Sequence, residues 1–295
     1  YMITILYYSV ATLLGLAFGL VLTPIFKVIP EKWLQDYGFN PKAANFRISK
    51  RMKFLPHGVI ASLFCILCNV SFVLISRSSM DSGSWLRVAV FALAVPMFFL
   101  VLMADKLNRI IPDEFSIYIA ALGILAIASD YVNGSIWFSP EAAWFAPLIN
   151  HIGGAIIGGG LLWLIGFISE TFFAREGIGQ GDMRLLAACG LVCGIYGLVV
   201  IFYVSVISAA VIAIPLLVRK QIRLSNEENL IRSSSNPIEK RKEIEHSKEM
   251  IHFADDPDYL AFGPFLVVGA TIFLVAEPWI YEKAHGLLDI LGVLF

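Results

Sequence analysis

Asp105 and Asp182 each stand at the edge of a long apolar run, which is where a membrane-embedded acid can meet water. Asp105 opens the polar turn Asp105-Lys106-Leu107-Asn108-Arg109-Ile110-Ile111-Pro112-Asp113, and Asp182 ends Gly179-Gln180-Gly181-Asp182. Gly179 and Gly181 let the backbone bend sharply before an apolar helix begins. Two carboxylates at one depth can share a proton. The ionised partner takes a proton from water as the water attacks a peptide carbonyl, while the protonated partner polarises that carbonyl and then assists the leaving amine. This chemistry needs no metal and no nucleophilic side chain. Plainer roles compete with it. An N-cap accounts for an aspartate at a helix start, and it suits Asp113 behind Pro112 especially well. Glu170 can reach the interface from its span, and Asp130 closes a span on the side away from Asp105 and Asp182.

The elements that must position these residues follow from hydropathy. With 58% hydrophobic and 15% charged residues, the composition excludes a soluble globular domain and points to an all-α polytopic membrane helix bundle. Runs of about 20 apolar residues, enough to cross the hydrocarbon core, predict about eight transmembrane helices. They lie near Ile3–Phe26, Leu55–Ile75, Leu86–Ala104, Phe115–Asp130, Phe145–Phe172, Arg184–Leu198, Val199–Val218 and Phe262–Ile280. The sixth and seventh are separated by a turn placed at Gly194-Ile195-Tyr196-Gly197. Without that turn the count is seven.

Lys and Arg collect in residues 27–54 and 219–258, with Lys27, Lys32, Lys42, Arg47, Lys50, Arg51 and Lys53 in the first stretch. The opposite side keeps Arg77, Arg87 and Lys283. The positive-inside rule therefore places both stretches, Asp105 and Asp182 in the cytoplasm and the N-terminus outside. The whole chain, 1–295, is read as one membrane-embedded domain. The first run has no basic region ahead of it and is expected to be retained rather than cleaved. Residues 219–258 read as a mobile polar loop with a short helix over Ile238–Met250.

Other candidate chemistries fall away. Cys65 with Cys68, and Cys189 with Cys193, have metal-like spacing but lie inside apolar spans, where cysteine packs as a small hydrophobe. No metal and no cofactor is expected. His151, beside Asn150, is read as an interhelical hydrogen-bonding residue, with a proton relay as the alternative. No phosphate loop, zinc-protease motif or nucleic-acid motif is present.

Gly177-Ile178-Gly179-Gln180-Gly181-Asp182-Met183-Arg184-Leu185-Leu186-Ala187-Ala188-Cys189-Gly190 resembles the G-x-G-D-x-K-L-L-A-A-x-G block of the type IV prepilin peptidases, which are membrane aspartic proteases. The Asp105 to Asp113 turn resembles that family's D-x-x-x-x-x-x-P-D segment. The glycine-rich stretch from Gly153 to Trp163 and the later Phe262-Gly263-Pro264-Phe265-Leu266 also match, so the resemblance runs in order from about Asp105 to Ala270. It implies an aspartic endopeptidase with Asp105 and Asp182 as catalytic residues and Gly179, Gly181, Pro112 and Asp113 as supporting motif positions. The implied partners are type IV prepilin or pseudopilin precursors and the lipid bilayer, with no nucleic acid. Such precursors carry a short basic leader, a glycine before the cut and then an apolar helix. Cleavage is expected at the cytoplasmic face of the cytoplasmic membrane. Glu31, Asp36, Glu114 and Glu176 are candidates for attracting the leader, with solvated surface charge as the alternative for each. Bifunctional members carry paired C-x-x-C motifs in the first cytoplasmic loop and methylate the new N-terminus. Residues 27–53 hold no cysteine, so methyltransfer is not expected. Arg184 stands where the family usually has Lys. A proton-coupled transporter and a non-catalytic assembly protein are the competing function classes.

Overall fold

Each long apolar run becomes a helix, because backbone groups surrounded by lipid must satisfy their own hydrogen bonds. The computed structural model describes residues 2–35, 40–42, 46–75, 84–138, 142–173, 179–249 and 260–290. Among them are eight longer helices and no strand: α1 Met2–Val28, α2 Val59–Ile75, α3 Trp85–Asn108, α4 Asp113–Asn133, α5 Ala146–Phe173, α6 Gln180–Ser233, α7 Pro237–Glu249 and α8 Gly263–Ile290. All but α7 lie in segments long and apolar enough to cross a membrane, giving seven such segments. The architecture is the all-α polytopic bundle that the composition predicts.

The difference between seven segments and about eight predicted spans lies in α6. Its run of 54 residues is interrupted at Gly194, where φ is 68° and ψ −177°. A side chain there is strained, and a Cβ would also lie 2.2 Å from Asn150 Nδ2. The residues around this break show that the chain folds back. Before it, α5 and α6 run antiparallel, with Gly166 against Met183, Gly158 against Leu186 and Gly154 against Gly190. After it, Gly197 meets Phe273 of α8 and Ile201 meets Gly269 of α8, while Ser205 Oγ donates to Phe265 O at 3.0 Å. Ser205 is thus level with the start of α8, and so is Asp182, on the other limb. The turn proposed at Gly194 to Gly197 is therefore real, and the long element holds two antiparallel limbs.

Close helix contact brings these limbs into place. A Cβ on Gly190 would lie 2.2 Å from Gly154 O, so α5 and α6 touch backbone to backbone, as small residues permit in membranes. Phe98 and Phe99 of α3, Ile119 of α4, Leu185 and Leu186 of α6, and Leu266 of α8 are all essentially inaccessible. These four helices form the centre of the bundle. α2 joins it through Phe72, stacked on Phe91 of α3 at 4.0 Å.

The polar connections are more ordered than their composition predicts. Leu34 and Met52, from the segment between α1 and α2, are each 1% exposed and belong to the core. Residues 219–233 continue α6 as helix where a loop is expected, and α7 occupies almost the stretch predicted to be helical. Lys248 Nζ of α7 lies 2.6 Å from Glu227 Oε2 of α6. Cys65, Cys68, Cys189 and Cys193 are free and buried in their helices.

Candidate active site

Asp105 lies in the last turn of α3, slightly further into the helix than the sequence predicts. The helix ends three residues later because Arg109 adopts φ 59°, and the Arg109 N–H closes the turn on Asp105 O at 2.8 Å. Pro112 confines Ile111 to extended conformations and serves as the N-cap of α4. These two restraints make the connection from residue 109 to 112 a stiff turn that directs Ile111 inward.

Asp182 lies in the first turn of α6. Gly179 is the N-cap, and its carbonyl accepts from the N–H groups of Asp182 and Met183 at 3.1 and 3.4 Å. Gly181 faces Ile111, since a Cβ there would lie 3.2 Å from Ile111 Cβ. The third wall is the start of α8. A Cβ on Gly263 would lie 2.6 Å from Asp105 Oδ2 and 2.7 Å from Ile111 Cδ1.

The two aspartates, 77 residues apart in the sequence, are thus brought together around Ile111, and their carboxyl groups lie within electrostatic reach of one another. Asp105 is 4% exposed and Asp182 9%. Asp105 Oδ2 and Asp182 Oδ1 are both buried without a hydrogen-bond partner among the described residues. An orphaned buried polar atom costs about 1–3 kcal/mol, so the arrangement is not one that stability alone favours. It can offer oxygens to a water and to a polarised carbonyl.

The remaining candidates separate clearly. Asp113 is the first residue inside α4, behind the N-cap Pro112. Arg184 Nη1 donates to Asp113 Oδ1 at 2.5 Å, tying α4 to α6 beside the aspartates. Arg184 also reaches Gln180 Oε1 through Nη2 at 3.2 Å, a fork that a lysine lacks. Glu114 follows in the first turn of α4. Glu31 is committed within its own segment, accepting from Ser49 N–H at 2.5 Å, Gln35 Nε2 at 2.7 Å and Arg51 Nη2 at 2.6 Å. Burial opposes its ionisation, but these donors win and hold its carboxyl at about 2. Asp36 and Glu176, with Gly177 and Ile178 of the glycine motif, lie outside the described residues.

Three site neighbours escaped the sequence reading as functional candidates. Gly263 had a signal, being part of Phe262-Gly263-Pro264 at the predicted dyad-side end of the last span. Ile111 had none beyond its place before Pro112. Asn108 clamps the preceding segment: Lys50 N–H donates to its Oδ1 at 2.7 Å and its Nδ2 donates to Lys50 O at 3.1 Å.

Residues 92–214, which include both aspartates, match the type IV leader peptidase family. Prepilin leader peptidase/N-methyltransferases from Xanthomonas campestris pv. campestris and Neisseria gonorrhoeae are 28% and 29% identical over 116 residues, 39% of this chain and 36% of each relative. The protein of that name from Escherichia coli K12 is 24% identical over 145 residues, 49% of this chain and 56% of its own. The alignments thus span about a third to a little over half of these relatives' length. No solved structure matches the chain significantly. The matched residues hold most of α3, α4, α5 and α6 as far as residue 214, whereas Gly263 enters the site from outside them.

Proposed function

We propose that the chain is an aspartic endopeptidase that removes the short basic leader from type IV prepilin or pseudopilin precursors, with Asp105 and Asp182 as the catalytic pair. The observation carrying this reading is the meeting of two buried carboxyl groups from separate helices, each with an oxygen left without a partner, inside the family-matched region. One carboxylate accepts a proton from water, whose oxygen attacks the scissile carbonyl carbon. The other, protonated, donates to the carbonyl oxygen. The C–N bond then breaks as a proton passes to the leaving amine.

The basic stretches flanking α1 and α6 support a site at the cytoplasmic face of the cytoplasmic membrane, with the N-terminus of α1 outside and the apolar precursor helix entering from the bilayer. Residues 1–295 act as one domain, with the α6 extension and α7 as an insertion. The cysteine-free segment between α1 and α2 supports peptidase activity without methyltransfer. The transporter reading draws less support, since the acids sit at helix ends rather than at mid-bilayer.

The test is cleavage of a pilin-like precursor in liposomes, with product mass determined. Asp105→Asn and Asp182→Asn are each expected to lower the rate by about a thousandfold or more. Product mass should not shift when S-adenosylmethionine is added. Cleavage by either variant at the wild-type rate would remove that aspartate from the mechanism.

A further inference from the structure

We propose that Ile111 is a specificity-determining residue that limits the size of the residue supplying the scissile carbonyl. The proposal rests on the peptidase reading above and deepens it. Three facts carry it. Ile111 is only 8% exposed although it belongs to a connection rather than a helix. Its Cβ faces Gly181, next to Asp182, and its Cδ1 faces Gly263, next to Asp105 Oδ2. The turn that holds it is stiffened at both ends, by Arg109 at φ 59° and by Pro112. One aliphatic side chain thus occupies the space between two glycines that flank the two carboxyl groups.

A carbonyl under attack must come within about 3 Å of both acids. Its own α-carbon is then bonded about 1.5 Å from the reacting carbon, and of the three wall residues beside the acids, Gly181, Gly263 and Ile111, only Ile111 carries a side chain for a substituent there to meet. Gly181 and Gly263 are already at their limit of approach, because a single added carbon on Gly263 would lie 2.6 Å from Asp105 Oδ2. The removable obstruction is the isoleucine. Its stiff mounting keeps it from yielding as a loop residue would.

Three precursors differing in one position, with Gly, Ala or Val before the cut, are incubated in liposomes with wild type, Ile111→Ala, Ile111→Val and Ile111→Phe. The readout is the ratio of kcat/KM for the Ala and Val precursors to that for the Gly precursor. Ile111→Ala is expected to raise the Ala ratio by about tenfold or more, and Ile111→Val to raise it by less. Ile111→Phe should lower it. A side chain that only packs would slow all three precursors in proportion, and unchanged ratios in active Ile111→Ala and Ile111→Val would overturn the proposal. Should Ile111→Ala be inactive, the one-carbon change to Val decides alone. Failure of the peptidase reading looks different: wild type would cut none of the precursors, or Asp105→Asn would cut them equally well.

Discussion

At one end of the bundle Asp105 and Asp182 are buried with an oxygen each left without a partner; at the other, about 27 Å along α3, the buried Glu277 and the part-buried Asp130 are met by donors. There Glu277 of α8 accepts from Arg87 Nη2 at 3.1 Å and from Trp137 Nε1 at 2.9 Å. Asp130 of α4 meets His151 Nε2 of α5 at 3.2 Å, while His151 Nδ1 lies 2.8 Å from Leu191 O of α6. A carbonyl accepts, so Nδ1 donates in that contact and Nε2 faces the Asp130 carboxyl. These groups line a cavity of about 40 Å³, room for a few waters. The same fold can therefore supply a buried acid, Glu277, with donors. The unpartnered oxygens of Asp105 and Asp182 are what the proposed catalytic pair needs, whereas the far cluster ties α3 to α8 and α4 to α5 and α6.

Exchanging the two kinds of change should sharpen this contrast most. Glu277→Ala leaves the part-buried Arg87 without its Glu277 partner and is expected to destabilise by about 2–3 kcal/mol, read as a fall in the thermal midpoint in detergent. Asp105→Asn and Asp182→Asn should leave that midpoint within a few degrees of wild type while abolishing cleavage. A Glu277→Gln variant that stays folded should still cut. Equal melting losses at both ends would break the comparison, because the dyad would then be as structural as the far cluster.

A smaller effect is expected at Glu31. Its folded-state carboxyl is held at about 2, below the ordinary 4.5, so its contribution is fully present above pH 4.5 and is lost as pH falls toward 2. Protease protection of the segment between α1 and α2 should decline over that window, and Glu31→Gln should lack the decline. The smallest effect is expected at Arg184. Its pair with Asp113 is 42% exposed on each side, so Arg184→Lys should cost less than about 1 kcal/mol, and less still at high salt.

Most of the dyad's surroundings were legible because apolar run length and the two acidic turns are local signals. The α6 fold-back was legible too, since Gly194 and Gly197 interrupt a run too long for one crossing. His151 also behaves as the interhelical hydrogen-bonding residue expected of it. The far network was not legible as a unit. Arg87 and Glu277 are 190 residues apart, and in sequence Arg87 reads only as a charge near a loop. Gly263 and Ile111 were hidden for a similar reason: a close approach between two helix starts and a turn leaves no spacing pattern. The N-cap expected of Asp113 gave way to Arg184, which tertiary packing delivers from α6.

The fold-back at Gly194 has a consequence for the surrounding lipid. The limb carrying Asp182 runs from residue 180 to 193, a rise of about 21 Å against a hydrocarbon thickness of about 30 Å. That hydrophobic mismatch draws the bilayer surface inward beside α5 and α6 or admits water to the level of the limb's start. Either response would bring water to the level of the two aspartates, so the hydrolysis proposed for them needs no dedicated channel.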